Sequence, residues 1–421
     1  MKELLHLQDR GCIEMKFKIQ AAVILLIAAV FALNGISADD SFSQGKVKVI
    51  ASTLNVRNIA SHGGTVVATV KRGDILQTLE RSKQEAKIDG LVNYWYKVGL
   101  PKGKKGWVFG GYITFELNLE SGLRWRSVNP ASSEVFTGIV SPKPGSIIAG
   151  TKSGNLYSSY DSGKSWKKVV PQALGNNIGP IHKIVMKKNL IWMISSGENG
   201  GGVWKTANNG ASWSQYTIEQ GLPSNNVTDV FLADDGMVWA VTSAGIATSK
   251  NNGLSWQNYE IKRGIKGDPL SITVIGKNII LGTTKGIYVL VHEGNLLGGK
   301  KGKWVKAAPK QIKSKVTSIY HLDGMVYAGT DKGLVRSDAS SLKEWFVIGG
   351  SSKVRSILID QKKRILVATK NGLNISLDKG DSWVTYKKEH GLASNSISGI
   401  AVDRNNNIWV TMEKSGIAYH D

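Results

Sequence analysis

The chain holds a single cysteine in 421 residues. That residue, Cys12, comes before the one long apolar run, and the Asp9-Arg10-Gly11 ahead of it has no lipobox character. Without residues 1–38 the chain carries no thiol, which excludes disulfides, thiolate-held metals and cysteine nucleophiles and suits export. Histidine is sparse: His182, His292, His321, His390 and His420 stand singly, without metal-ligand spacing, and are expected on the surface or in loops. No nucleotide-binding glycine motif occurs in a strand-to-helix context, so neither metal nor cofactor is expected. Acidic residues are outnumbered 32 to 54 by Lys and Arg, for a net charge of +22. Basic and aromatic residues do not interleave in a recognisable pattern, which argues against nucleic acid. Nine prolines beside 48 glycines fit a turn-rich, all-β chain.

The apolar run, Ala21 to Leu33, is thirteen residues long, too short for a comfortable transmembrane helix. Lys16 and Lys18 precede it, and Gly35-Ile36-Ser37-Ala38 follows. This is the pattern of a secretory signal peptide over 1–38, cleaved after Ala38, with no membrane span afterwards. Glu3, Asp9 and Glu14 do not suit a signal, and translation is expected to start at Met15. Removing 1–38 takes away four basic and three acidic residues, so the mature charge is +21. Such a charge favours anionic partners, although solubility and unspecific wall adhesion explain it equally well.

From about residue 123 the chain repeats one unit, clearest at 221–256. Val227–Leu232 and Met237–Thr242 read as strands around the turn Asp234-Asp235-Gly236; Ile246–Ser249 and Ser255–Tyr259 follow around Asn251-Asn252-Gly253. Four short strands make one sheet that cannot bury both faces alone. Two columns count the copies. A large apolar residue near the end of the second strand recurs seven times, as Ile148, Trp192, Trp239, Ile280, Tyr327, Leu366 and Trp409. An outer tryptophan recurs six times, as Trp166, Trp213, Trp256, Trp304, Trp345 and Trp383. The missing seventh is Trp125, within a lone fourth strand, Gly122 to Val128. The expected architecture is a seven-bladed β-propeller over 123–421, closed by that N-terminal strand pairing with the C-terminal blade. An open solenoid would leave unpaired edges at both ends.

Residues 46–116 differ. Leu54-Asn55-Val56-Arg57, Gly64 to Val70, Arg72-Gly73-Asp74, Trp95-Tyr96-Lys97-Val98 and Gly106-Trp107-Val108, closing on Tyr112-Ile113, resemble a bacterial SH3 domain over about seventy residues. The resemblance implies a small barrel that binds peptides or cell-wall material without catalysis. Tyr94 and Tyr112 are its candidate groove residues; Trp95 and Trp107 are expected in the core, and Pro101 to Lys105 at a solvated hairpin tip. The linker 117–121 is short and lacks a Pro or Gly-Ser tract, which predicts a restricted orientation between the domains.

Within the repeats, Ser159 to Trp166 and Ser376 to Trp383 resemble the Asp-boxes of sialidase-type and photosystem-assembly-factor propellers. The segments ending at Trp213 and Trp256 are similar, with Asn208 and Asn251 where the others have Asp161 and Asp378. Gly221 to Val227 and Gly391 to Ile397 resemble two-component-regulator propeller repeats. The box is expected to be architectural: its Asp or Asn bonds the turn, Gly163 and its counterparts supply positive φ, and the tryptophan covers the seam. Catalysis finds no support: no Arg-Ile-Pro occurs, arginines are sparse, and only a carboxylate pair formed in space would remain.

The loops between second and third strands should share a face with the inter-blade connections. Lys152, Lys285, Lys332, Lys370 and Lys414 recur there, and Ser224 and Asn225 border the same mouth. These residues form a candidate basic rim for an anionic ligand; the alternative is that lysine simply tolerates exposed turns. The expected function is that of an exported, non-catalytic binding or adaptor protein, secreted, periplasmic or otherwise at the cell envelope. Its partner would be a cell-wall or acidic glycan polymer, or an envelope protein or peptide. The alternatives are a glycan-active envelope enzyme and an assembly factor for an envelope complex.

Overall fold

The computed structural model describes residues 45–89, 91–116, 125–169, 178–259, 264–290, 302–307, 312, 314–349, 352–413 and 415–420. The expected signal peptide with Cys12 and Met15, the linker at 117–121, His292 and Lys414 lie outside them.

Alternating burial builds the N-terminal part. Lys46–Val49 and Thr53–Arg57 present Val47, Val49, Leu54 and Val56 to one interior and their neighbours to solvent. Val66–Lys71, Ile75–Ile88, Leu91–Gly99, Lys105–Phe109 and Ile113–Glu116 complete a small antiparallel barrel, with Trp95, Val98, Val108 and Phe109 in its core. Trp95 is buried, as its strand position predicts; Trp107 is only half-buried, with Lys97 Nζ 5.6 Å above its ring. The tip from Pro101 to Lys105 is exposed throughout.

From Phe136 onward the chain forms seven four-stranded antiparallel blades among the described residues, six as separate sheets and the fifth joined to the barrel sheet where Val347 pairs with Leu91. The strands Phe136–Lys143, Ile181–Lys187, Val227–Leu232, Pro269–Ile275, Val316–Leu322, Val354–Ile359 and Ile397–Val402 open blades 1 to 7. Each of these first strands contacts the next, and that of blade 7 contacts that of blade 1, so the ring is closed. The last sheet takes its fourth strand from Arg126–Val128, which pairs antiparallel with Gly416–His420. Trp125, just before it, packs edge-to-face on Tyr386 and His420.

The core lies between sheets. Seven apolar clusters occur among the described residues, each formed by two adjacent blades. In each, the large residue on the second strand of one blade meets the outer tryptophan of the next. The pairs are Ile148 with Trp213, Trp192 with Trp256, Trp239 with Trp304, Ile280 with Trp345, Tyr327 with Trp383, Leu366 with Trp125 and Trp409 with Trp166. The two sequence columns are therefore partners offset by one blade, and the Trp409–Trp166 pair covers the seam between the last blade and the first.

The box turns are filled by their own bonds. Asp161 Oδ1 accepts from Ser165 N–H at 2.9 Å and Ser159 Oγ at 2.8 Å, while Oδ2 accepts from Ser165 Oγ at 2.5 Å. Asp378 repeats this with Ser382 and Ser376. In the asparagine versions the last bond reverses: Asn208 Nδ2 donates to Ser212 Oγ, and Asn251 Nδ2 to Ser255 Oγ, both at 2.8 Å. Gly163 has φ +81, and a Cβ there would sit 3.0 Å from Trp409, so the turn glycine also makes room for the neighbouring blade. These bonds hold Asp161, Asn208, Asn251 and Asp378 within their own turns; Trp166 and Trp383 donate from Nε1 to the Gly163 and Gly380 carbonyls, and Trp213 and Trp256 are held by packing between blades.

The barrel packs against blades 5 and 6. Leu91 forms a parallel bridge with Val347, and Asn93 Nδ2 donates to the Asp381 carbonyl at 2.8 Å. Arg336, on the third strand of blade 5, donates through Nη2 to Glu85 of the barrel at 2.6 Å and through Nη1 to Asp381 of blade 6 at 3.0 Å.

Candidate functional site

At one place every blade breaks its ladder. Between first and second strands the register slips by one residue near the start of the first strand. The residues left unpaired by these bulges are Thr137, His182, Thr228, Leu270, Thr317, Arg355 and Ser398. A bulge turns its extra side chain out of the alternating pattern. Here the extra side chains converge: all but Leu270 line one cavity of about 420 Å³ enclosed by the first strands.

Hydroxyls do structural work in four of the seven. Thr137 Oγ1 donates to the Ile181 carbonyl at 2.5 Å, Thr228 to Pro269 at 3.4 Å, Thr317 to Val354 at 3.3 Å, and Ser398 Oγ to Phe136 at 2.7 Å. Each bond crosses to the next blade, and the last crosses the ring closure. His182 and Arg355 depart from this pattern. His182 Nε2 lies 2.8 Å from Ser196 Oγ in its own blade; its ring is reached by solvent, and desolvation by the surrounding strands lowers its basicity. Arg355 Nη2 donates to Glu413 at 2.9 Å, and Glu413 also accepts from Ser396 Oγ. Further along the first strands Lys183 Nζ donates to Asp229 at 2.6 Å and stands 5.7 Å from the centre of the Tyr320 ring. Asp229 also accepts from the N–H groups of Val230 and Ile272, so it ties blades 2, 3 and 4 together. Burial works against the Lys183 ammonium, and the adjacent Asp229 carboxylate more than offsets this, holding its pKa above the ordinary value.

The turns expected to carry the rim do adjoin the inter-blade connections. Lys152 N–H donates to the Val135 carbonyl, Ser243 to Asn226, Thr284 to Asp268, Asp331 to Lys315 and Glu413 to Ser396. Lys152, Lys285, Lys332 and Lys370 are exposed there. Carboxylates share the rim: Asp331 pairs with Lys353 at 3.5 Å and Glu413 with Arg355. Asn225 is engaged by backbone on both sides, accepting from Ile218 N–H at 3.0 Å and donating to the Glu198 carbonyl at 3.1 Å. Asn395 accepts from Lys388 N–H at 2.7 Å in the corresponding turn of the last repeat. Ser224 Oγ meets Ser243 Oγ at 3.0 Å.

On the barrel, Tyr94 is half-buried under Arg81, whose guanidinium carbon lies 4.3 Å from the ring centre. Tyr112 donates to the Asp89 carboxylate; burial and that bond push its phenol up to about 12. His182 and His321 are exposed, in line with the expectation of surface or loop positions, although they sit on first strands; His420, half-buried in the third strand of blade 7 against Trp125, departs from it. Among the described residues no cluster of three or more His, Cys, Asp or Glu is placed to hold a metal. No helix among them is long and apolar enough to cross a membrane.

The bulged residues were missed from sequence. Their signal was a polar column one residue into the first strand, broken by Leu270, but periodicity alone assigns such residues to an ordinary strand face.

Residues 52–114 match the family described as bacterial SH3 domain, and residues 391–414 match two component regulator propeller. No curated protein is similar enough in sequence to match. Among solved structures, the chain is similar to the extracellular domain of the hybrid two component system BT3049 from B. thetaiotaomicron. The TM-score is 0.57 at 19% identity, over 71% of this chain and 42% of that one. It therefore spans about two fifths of that relative's length. YCF48 from Cyanidioschyzon merolae gives a TM-score of 0.52 at 15% identity, over 70% of this chain and 98% of that one. YCF48 is also known bound to D1 peptide. A streptogramin B lyase gives 0.53 at 15% identity, over 71% of this chain and 97% of that one. At these identities the likeness is one of fold, and the fold is a β-propeller.

Proposed function

We propose that this chain is an exported, non-catalytic binding protein of the cell envelope, in which the SH3 barrel contacts wall material or peptide and the propeller mouth recognises an anionic partner. The observation that carries the reading is the pairing of a bacterial SH3 domain with a propeller whose fold neighbours include extracellular domains of two component systems. Exposed lysines around the mouth and the mature charge of +21 add long-range attraction for acidic polymers. The test is binding of the purified chain to acidic wall polysaccharide at several salt concentrations, beside a variant with Lys152, Lys285, Lys332 and Lys370 all changed to Gln. Binding that weakens with salt and drops in the variant supports the reading; unchanged binding rules out the rim. Reducing-sugar release from the same polymer would replace the reading with a glycan-active enzyme. YCF48 bound to a peptide favours one second reading, an assembly factor for an envelope protein. Capture of a defined envelope protein through its peptide tail, with no polysaccharide binding, would establish it.

A further inference from the structure

We infer that the ring of bulges forms a binding site for an acidic sugar residue of the uronic-acid type, with Arg355 taking its carboxylate and His182, on a blade across the mouth, orienting it. The inference deepens the proposed function and rests on its assignment of the propeller mouth as the binding face.

Three observations lead there. A bulge recurs at the same point of all seven blades, and six of its seven side chains line a single cavity of about 420 Å³. That volume falls within the range of small-molecule sites, roughly 300–1,000 Å³. The repeat has a rule at this point, a hydroxyl that donates to the next blade's carbonyl, and His182 and Arg355 break it. His182 is bonded only within its own blade, and Arg355 reaches blade 7 through the Glu413 side chain instead of a backbone carbonyl, so both place nitrogen donors at the cavity where the other blades place hydroxyls.

The third observation is chemical. Arg355 lines the cavity, spends Nη2 on Glu413 and keeps 27% side-chain exposure, so its guanidinium retains donors for a second carboxylate. A planar fork of that kind matches a carboxylate. Thr137, Thr228 and Thr317 have committed their hydrogens to carbonyls, which leaves their oxygens as acceptors, whereas Ser398 Oγ also meets Thr411 Oγ1 at 2.9 Å. A cationic donor and a neutral imidazole set among hydroxyl acceptors suit a ligand that offers one carboxylate and several hydroxyl donors. A neutral sugar lacks the first and a simple fatty acid lacks the second.

Isothermal titration of the full chain with glucuronate, glucose and an oligouronate tests this. Glucuronate is expected to bind at least about tenfold more tightly than glucose, and Arg355→Met should remove most of that difference. Arg355→Lys should recover only part, since a point charge lacks the fork. His182→Gln should weaken glucuronate several-fold while thermal unfolding stays unchanged. The four-lysine rim variant should bind glucuronate within about twofold of the parent and lose affinity only for the polymer. Stronger binding of the oligomer than of the single sugar would identify a polymer end as the natural source; equal binding would identify the free acid. Equal affinity for glucose and glucuronate overturns the inference, as does unchanged glucuronate binding in both Arg355 variants. If the polymer binds through the rim and glucuronate does not bind, the site is refuted and the broader reading stands; loss of all polysaccharide binding refutes both.

Discussion

Replacing Arg336 with methionine should release the SH3 barrel from the propeller. Arg336 is 5% exposed and is bonded to both Glu85 of the barrel and Asp381 of blade 6. It also donates to the Lys379 carbonyl at 3.0 Å, as Lys205 does to Asn252 at 2.7 Å in the corresponding turn. Its partners differ in weight. Glu85 is 34% exposed, so its share of the docking energy is reduced by solvent to about 1 kcal/mol or less. Asp381 is 10% exposed, and stranding it costs about 3 kcal/mol or more. Glu85→Gln should therefore loosen docking about fivefold with unchanged propeller stability, while Arg336→Met should both undock the barrel and lower the unfolding temperature.

The charges predict a pH dependence. Burial pushes the Asp381 carboxyl up to about 7 against the pull of Arg336, and the nearby Asp378 and Glu85 carboxylates add to the rise. The other titratable neighbours are Tyr96 of the barrel and Tyr327 of blade 5, both held neutral by burial. Undocking returns Asp381 to solvent and toward its ordinary 3.8. A group with its pKa raised in the docked state contributes docking energy that is complete below the lower value and lost as pH rises through the upper one. Docking should thus weaken between about pH 4 and 7 and be weakest above, and Asp381→Asn should abolish the dependence. Spin labels at the exposed positions 102 and 362, in a Cys12→Ser background, report the separation. A narrow distribution that stays narrow in both Glu85→Gln and Arg336→Met, or that tightens as pH rises, would refute this account.

Asp161→Asn should fold normally, since Asn208 and Asn251 already hold the same turn, and its unfolding temperature should stay within about 1 °C at pH 7. Bonds from Ser165 lower the Asp161 carboxyl to about 2 from 3.8, so its contribution is present above pH 3.8 and lost as pH falls through about 2; that acid-side loss should vanish in the variant. Gly163→Ala and Gly236→Ala separate backbone strain from crowding. Both glycines have positive φ, +81 and +87, but a Cβ at 236 meets nothing within 4 Å while one at 163 presses on Trp409. Denaturant unfolding should show a loss of about 1 kcal/mol at 236 and clearly more at 163; equal losses would refute the seam contact.

The repeat itself was legible because each blade restates it. Period-two strands, Asn-Gly turns and two aromatic columns are local signals, and strands Val227–Leu232 and Gly245–Ser249 lie within a residue of where alternation places them. Counting the columns even located the closing strand, because Trp125 had no other unit to belong to. The groove tyrosines and the rim lysines were legible only as candidates, since exposure in a turn follows from sequence and a partner does not.

Composition and period alone determined that this chain is all-β, has its single cysteine at position 12, is strongly basic and is built from a repeated sheet that needs copies on either side. The tertiary structure decided what each column touches: Trp192 covers Trp256 one blade on, which no spacing within a repeat can show. It also decided that His182 and Arg355 leave the strand face for the cavity, because a bulge is a one-residue slip in pairing with a second strand. Arg336 meets Glu85 across 251 residues of sequence. Local chemistry writes strands and turns into adjacent residues, whereas seams, bulges and docking depend on which strands come to lie side by side.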